Sequence, residues 1–316
     1  MLDEIGILME TDVVILMSTY NGEEFLREQI DSIFAQSWQG KIVIFIRDDG
    51  SKDSTLEMIK SIDNTPTRKI ELIEGENCGP QKSFLNLIKS APEALYYFFA
   101  DQDDVWDADK IETAVNSMRS AGDVPVVYCS NYRLSDTELK VYKEKAIENS
   151  PKFTPLKILF YNQIPGCTMA FNFRLMCLLK KIEIDNVMMH DSMVLSFAAF
   201  CGLIIYDENS KIIHRIHSQN VVGDGHKKIH LFTWLKNKFS LLIHKENYDV
   251  SKMAEQFLIA TQGENNLNYI EDILLLRDFK KKLYYTRKLL RHKDTKDKPF
   301  DRTTLSIRSK IFFHLF

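Results

Sequence analysis

Residues 95–106 read LYYFFADQDDVW, and the junction inside that stretch decides the fold. Leu95 to Phe99 and Ala100 form an apolar run of strand length, continuous instead of alternating, which suits a strand buried on both faces. The run stops on Asp101, Gln102, Asp103 and Asp104, where three carboxylates fall within four positions. A sheet covered by helices on both sides carries its ligands at the carboxyl ends of its strands, so the acidic cluster stands where function is expected.

The same grammar extends in both directions. Val13 to Met17 is a continuous apolar run followed by an amphipathic stretch from Glu23 to Phe34. Lys41 to Ile46 reads as a second strand and Ser54 to Ile62 as a helix. Ile70 to Ile73 is a third strand, and Gln81 to Lys89 has the helical spacing of Phe84, Leu85 and Ile88. After the acidic cluster come a helix from Lys110 to Met118 and a fifth strand from Val124 to Cys129. This alternation predicts an α/β protein with a mostly parallel sheet flanked by helices. Further on, Gly166 to Asn172 reads as a strand, Met189 to Cys201 as a buried helix, and Leu203 to Ile216 as one or two strands. From Lys227 the pattern turns helical, in IHLFTWLKNKFSLLIH and IEDILLLRDFKKKLYYTRKLL. The expected organisation is an α/β body over residues 1–226 and a helical, basic C-terminal region over 227–316.

Bulk properties limit the possibilities. A chain of 316 residues that is 45% hydrophobic can bury a real core. Its five cysteines show neither a CxxC pair nor a zinc spacing, so reduced thiols of a cytoplasmic protein are expected. The opening MLDEIGILMETD is acidic where a secretory signal is basic, and no apolar run approaches the roughly 18 residues of a membrane span. Residues 227–316 hold 19 Lys+Arg against 10 Asp+Glu, a net +9, which leaves −12 for residues 1–226. The basic tail suits contact with an anionic surface, or simply solvated helix faces. Its apolar Ile229, Leu231, Trp234, Leu235, Phe239, Leu241 and Leu242 alternate with Lys236, Lys238 and Lys245. That pattern fits peripheral attachment to the inner face of the cell membrane, packing on the body, or a homodimer contact. Without GxxxxGK[ST], GxGxxG, HExxH or GxSxG, the usual handles for nucleotide hydrolysis, hydride transfer, zinc proteolysis and serine hydrolysis are missing. Nothing points to nucleic acid.

Three carboxylates in four positions raise one another's pKa unless a cation neutralises them. Asp101 and Asp103, two apart at a strand end, can address one ion, and hard Mg2+ or Mn2+ would keep positions open for phosphates. A solvated acidic turn capping a helix near Ala108, with Asp107 as the cap, is the plainer alternative. Asp48, Asp49, Gly50, Ser51 and Asp53 end the second strand, where an Asp can accept from the imide N–H of a pyrimidine or simply shape an Asp-Gly turn. Thr19, Tyr20, Asn21 and Gly22 can meet base and ribose or open the next helix. His190 and Asp191 sit in the apolar NVMMHDSMVLSFAAF, where a carboxylate is costly unless functional, capping or paired; a general base is one such function. In HRIHSQN, Arg215 can meet a diphosphate and His217 can complete a metal site, or the run can be a basic surface loop. Gly166, Cys167 and Thr168 can line an acceptor pocket or turn into a buried strand.

In order, STYNG, RDDGSKDST, DQDDVW and MMHDS resemble glycosyltransferase family 2, the inverting enzymes of the GT-A nucleotide-diphospho-sugar transferase fold. The resemblance covers roughly residues 12 to 225. It implies nucleotide-sugar contacts by Thr19, Tyr20, Asn21, Asp48, Asp49, Lys82, Asp101, Gln102 and Arg215, with Asp48 at the base. It also implies metal ligation by Asp101, Asp103 and His217, an Mn2+ or Mg2+ cofactor, a catalytic base at Asp191, and acceptor contacts at Gly166, Cys167, Thr168 and His190. NCGPQKSF, PGCTMAFN and HRIHSQNVVG look most like the bacterial rhamnosyltransferase-type branch, although Ser83 and His214 stand where that branch often has Asn and Tyr. The resemblance therefore implies a dTDP-L-rhamnose donor and a lipid-linked saccharide acceptor. The alternatives are a UDP-hexose donor on the same fold and a nucleotide-sugar-binding scaffold without turnover. A sugar nucleotidyltransferase would want a Gly-rich basic loop after the first strand, which STYNGEEF is not.

Overall fold

The computed structural model describes residues 11–154, 162–183, 188–217, 250–261 and 270–278, and the single positions 158, 288 and 290. Four parallel strands form one half of the sheet: β1 (Val13–Thr19), β2 (Ile42–Asp48), β3 (Arg68–Glu74) and β4 (Tyr96–Ala100), in the order β3-β2-β1-β4. Between them run α1 (Leu26–Phe34), α2 (Thr55–Lys60) and α3 (Pro80–Ser90). The consecutive apolar residues of β1 serve both faces at once, because successive side chains of a strand point to opposite sides. Val14 and Leu16 join one core with Phe84, Leu87 and Ile88 of α3, whereas Val13, Ile15 and Met17 join another with Leu26, Ile30 and Ile33 of α1. All five residues from Val13 to Met17 are fully buried, each contributing about 1.5–3 kcal/mol through the water it leaves.

The expectation of a mostly parallel sheet holds for that half and is corrected for the other. After β5 (Val105–Trp106) and α4 (Lys110–Arg119), the chain makes β6 (Val126–Ser135) and the short β7 (Val141–Lys143). It then enters the sheet through a 3-10 turn, Gly166–Thr168, leading into β8 (Met169–Asn172). That strand lies antiparallel between β4 and β6. Its placement has a local reason: Asn172 accepts from Val126 N through Oδ1 at 3.1 Å and donates to Val124 O at 2.7 Å, fixing β8 against the start of β6. The same Oδ1 accepts from Leu175 N and caps α5 (Phe173–Leu179). The sheet is thus mixed, in the order β3-β2-β1-β4-β8-β6-β9-β5, with β7 off β6.

Leu203–Ile216 forms one long strand, β9 (Leu203–Arg215), parallel to β6 and antiparallel to β5. It follows α6 (His190–Cys201), which is apolar nearly all round and largely buried. The pairing Val105↔Ile213 sets the residues just before β5 beside those just after Ile213. Asp104 and His214 are neighbours for that reason. Asp107 does not cap α4; its carboxylate pairs with Arg133, and Lys110 N donates to its carbonyl.

The first helical stretch expected of the tail, around Ile229 to Lys245, lies outside the described residues, as do Ser218, Gln219 and Asn220. Two later helices are described, α7 (Val250–Ala260) and α8 (Ile270–Asp278). Met253, Ala254, Phe257 and Ala260 of α7 enter the same core as α6, with the Phe257 ring 4.5 Å from Phe197 and 5.2 Å from Phe200. Lys181 Nζ donates to Ala260 O at 3.0 Å. No helix among the described residues is long and apolar enough to cross a membrane. Because α7 completes this core, Phe257→Ala should destabilise the whole protein by about 3–5 kcal/mol, the usual cost of an aromatic deletion in a core. Urea unfolding followed by both tryptophan fluorescence and circular dichroism checks this, and a single cooperative transition shifted to lower urea is expected.

Candidate active site

The carboxyl ends of β1 and β2 are knitted together by one aspartate. Thr19 and Asp48 are register partners, and Thr19 Oγ1 donates to Asp48 Oδ2 at 2.9 Å. Asp48 also accepts from Gly50 N at 3.1 Å, Ser51 N at 2.8 Å and Ser51 Oγ at 2.5 Å. Four donors fill the roughly four acceptor positions of a carboxylate. Asp48 thereby builds the turn, which Gly50 closes at φ 81. Asp49 Oδ1 accepts from Cys78 N at 3.0 Å and pairs with Arg47, while Oδ2 accepts from Gly79 N at 2.9 Å. Burial alone would raise the Asp49 pKa, but donors from Cys78, Arg47 and Gly79 outweigh it and hold the group below the ordinary carboxylate value. Asp49 is therefore a fixed anion at the mouth of the β-strands.

The loop after β1 is clamped to the acidic loop. Gln102 receives Tyr20 N on Oε1 at 2.9 Å and donates from Nε2 to Tyr20 O at 3.1 Å, so one side-chain amide pairs with a backbone amide on both edges. A Cβ on Gly22 would stand 2.5 Å from that same Oε1 and would push the Gln102 amide away from Tyr20. Asn21 takes a left-handed φ of 47, receives Lys52 N on Oδ1 at 2.8 Å, and donates its own N–H to Ser51 Oγ at 2.9 Å. Tyr20 keeps its ring 45% exposed above this scaffold, a free aromatic face for a base or ribose. Lys82 is exposed on the first turn of α3. Its neighbour Ser83 is buried and bonds Ser18 Oγ at 2.6 Å.

The acidic loop is not a solvated turn. Asp104 is fully buried and Asp103 nearly so. Burial, then the charges of Asp104 and Asp103, pushes the Asp101 carboxyl up to about 7, and burial with the Asp104 charge raises Asp103 as well. Burial also works against Asp104, yet its contact with His214 wins and lowers it. His214 Nδ1 lies 2.8 Å from Asp104 Oδ1, and that pairing overcomes burial to lift the imidazole to about 9. His217 Nε2 lies 2.7 Å from Asp103 Oδ2. Beneath the loop, the ammonium of Lys110 is buried, donates to Cys167 O and sits 3.9 Å over the Trp106 ring. Burial drops its pKa to about 8.

Crowded carboxylates, with imidazoles beside them and a buried Asp104 Oδ2 that has no hydrogen-bond partner among the described residues, fit a divalent cation. Asp101, Asp103 and His217 stand at this place. Arg215 stands behind it. It is 3% exposed, and its guanidinium donates to Asp103 O at 2.9 Å, to Thr137 O at 2.5 Å and to Glu28. With the Phe25 ring 4.4 Å away, Arg215 holds the acidic loop from behind.

Asp191 opens α6 in the first turn, partly buried, with Ser192 N donating to its Oδ1 at 2.5 Å. Burial raises its pKa to about 6, against the opposing hydrogen bonds. That value suits a proton acceptor working near neutrality. His190 turns the other way, stacked at 3.9 Å on Phe84 and edge-on to Phe99 at 4.6 Å. Neither ring nitrogen has a partner among the described residues, and burial lowers its pKa to about 3, so the ring is neutral. Gly166, Cys167 and Thr168 are likewise buried: the 3-10 turn forms the floor between α6 and the acidic loop. Gly166 is small because a Cβ there would stand 2.4 Å from His190 Nε2.

Reading the sequence missed three participants: Asp104 as distinct from its neighbours, His214 as its partner, and Lys110 as the internal cation. Asp104 and His214 are 110 residues apart, and only the β5–β9 register joins them. Lys110 carried a usable signal, a lone basic residue at the buried start of an amphipathic helix.

Comparison with known proteins agrees with this arrangement. The profile of glycosyl transferase family 2 matches residues 14–182. A dTDP-rhamnosyl transferase of Shigella flexneri, RfbG, is 29% identical over 221 residues, covering 66% of this chain and 73% of its own. The minor teichoic acid biosynthesis protein GgaA of Bacillus subtilis is 25% identical over 127 residues, 39% of this chain and 28% of its own. Among solved structures, TarS of S. aureus in complex with UDP-GlcNAc superimposes with a TM-score of 0.54 at 14% identity, over 96% of this chain and 90% of that one. A mannosyltransferase of Pyrobaculum calidifontis in complex with GDP-Man and Mn2+ gives 0.52 at 17% identity, over 97% and 88%. Both likenesses speak for the fold, which is GT-A.

If the floor is as tight as the Gly166–His190 approach indicates, Gly166→Ala should force the imidazole off Phe84. Overpacking of this kind costs about 1–3 kcal/mol. Equilibrium denaturation of the variant measures it, and an unchanged midpoint would mean that the floor yields.

Proposed function

This chain belongs to glycosyl transferase family 2, and we propose that within it the protein moves L-rhamnose from dTDP-L-rhamnose onto a hydroxyl of a lipid-linked, cell-surface polysaccharide precursor, with inversion. The carrying observation is the meeting, at the ends of β1, β2 and β4, of a clamped loop with an acidic cluster; the raised pKa of Asp191, about 6, adds support. The rhamnosyl part is supported by the name of the Shigella flexneri relative. A UDP-hexose donor is the second reading, favoured by the UDP-GlcNAc complex of the S. aureus neighbour.

The residues divide the work. Tyr20 offers its exposed ring to the base. Asp48, Gln102 and Arg215 keep the surrounding loops in register without touching the donor. Asp101, Asp103 and His217 would hold Mn2+ or Mg2+, which supplies positive charge to offset the negative charge gathering on the departing diphosphate. Asp191 takes the proton from the acceptor hydroxyl as its oxygen attacks the anomeric carbon. Attack from the side opposite the diphosphate, in one displacement, inverts that centre. Burial of Asp191 serves this step, because a carboxylate near 6 is a stronger base than one near 4 and is still mostly ionised at pH 7.

Two expectations follow from these roles. Asp191 acts only when deprotonated, so the rate should be flat above about pH 7 and fall as pH drops through about 6. Asp191→Asn should lower kcat by about 10²-fold or more and abolish that limb while leaving donor affinity intact; a rate profile across pH for both proteins tests it. Separately, a panel of dTDP- and UDP-sugars with Mn2+ should raise the melting temperature in proportion to affinity. The largest shift is expected for dTDP-rhamnose and none for Asp103→Ala. A larger shift with a UDP-hexose selects the second reading, and silence across the panel removes both.

A further inference from the structure

The acidic loop has a second side. Asp101 and Asp104 meet Cys167 of the 3-10 turn and His214 of β9 so closely that one ligand atom from each lies within 4.8 Å of all the others. Within the set, His214 Nδ1 stands 2.8 Å from Asp104 Oδ1 and 3.9 Å from Cys167 Sγ. A tetrahedral Zn2+ with bonds of about 2.0–2.3 Å places its ligands roughly 3.3–3.8 Å apart. The observed separations bracket that range, so small side-chain shifts would close the shell.

Three further observations point the same way. Asp104 is fully buried and its Oδ2 lacks a hydrogen-bond partner among the described residues, although Oδ1 of the same group is bound to His214. A buried carboxylate oxygen left in this state is where a cation belongs. Next, the donor set is wrong for a hard ion alone: a thiol and an imidazole beside two carboxylates favour Zn2+, whereas Mg2+ and Mn2+ prefer oxygen throughout. Finally, the charge closes. Two carboxylates and a thiolate are balanced by one dication together with the Lys110 ammonium, which donates to Cys167 O from a buried position. The Cys167 thiol proton and the Nδ1 proton of the His214 imidazolium both leave to solvent as the metal–sulfur and metal–nitrogen bonds form, so the imidazole counts as neutral in this balance.

We propose that Asp101, Asp104, Cys167 and His214 form a zinc-selective site beneath the donor pocket, separate from the hard-cation position at Asp103 and His217 but sharing Asp101 with it. Zinc held there withdraws Asp101 from the donor's cation and restrains donor binding, a consequence that rests on the function proposed above.

The test uses the full chain, freed of metal with a chelator and titrated with Co2+, whose spectrum reports its ligands. One equivalent should give tetrahedral d–d bands with thiolate-to-cobalt charge-transfer absorption. Stoichiometric Zn2+ should remove both, and a large excess of Mg2+ should not. Cys167→Ser should lose the charge-transfer absorption, and His214→Asn should weaken Co2+ binding by at least about tenfold. A spectrum without thiolate absorption overturns the site. So does an absorption that survives in Cys167→Ser, since it would report Cys78 or Cys177, the two cysteines not fully buried. On the wild type, Zn2+ should also abolish the donor-induced melting shift seen in Mg2+. An intact shift overturns the restraint, whereas failure of any donor to bind in Mg2+ alone tells against the proposed function and leaves the cobalt result to judge the site.

Discussion

Everything at the functional end of this molecule is arranged around one electrostatic problem, the placing of three carboxylates at the buried end of β4. Like charges at such spacing in a poorly solvated position cannot all ionise without compensation. The protein divides the compensation. His214 takes Asp104, His217 takes Asp103, Lys110 supplies a buried positive charge below, and Asp101 is left raised to about 7. A pocket built this way gains from any cation that enters, and a donor carrying a diphosphate brings the anion that such a cation then serves.

The supporting structure follows from the need to hold that loop still. Arg215 fastens its backbone from behind through Asp103 O, and Gln29 Nε2 donates to Asp101 O at 3.0 Å. Gln102 ties it forward to the loop after β1, and that loop is tied in turn through Ser51 and Thr19 to Asp48. Most of these polar residues contact backbone and not ligand. Such bonds restrict where the carboxylates can go, and preorganisation of this kind is how an active site lowers the cost of meeting developing charge.

The parallel half of the fold was legible in the sequence because its information is local. Continuous apolar runs such as Val13 to Met17 and Tyr96 to Ala100 can only be buried on both faces, and the polar residues that end them mark the ligand side. What could not be read is whatever depends on pairings across long separations. The antiparallel entry of β8 rests on Asn172 reaching Val124 and Val126, and the Asp104–His214 contact rests on the β5–β9 register. The site shows the same division. Residue types in order marked Asp101, Asp103 and Asp191 as candidates, but types alone carry no record of partners. The hydrogen bonds that fill Asp48 and Arg215 appear only in three dimensions.

The contrast between His190 and Asp191 carries this argument to its end. The two are adjacent on the first turn of α6, and burial acts on both, but it acts on opposite charges. For His190 it penalises the cation, so the ring becomes a neutral aromatic packed against Phe84 and Phe99. For Asp191 it penalises the anion, so the carboxylate becomes a better proton acceptor. One apolar environment therefore gives a neutral packed ring and a carboxylate of raised pKa from consecutive positions. The floor at Gly166, kept small for the imidazole, helps to maintain that environment.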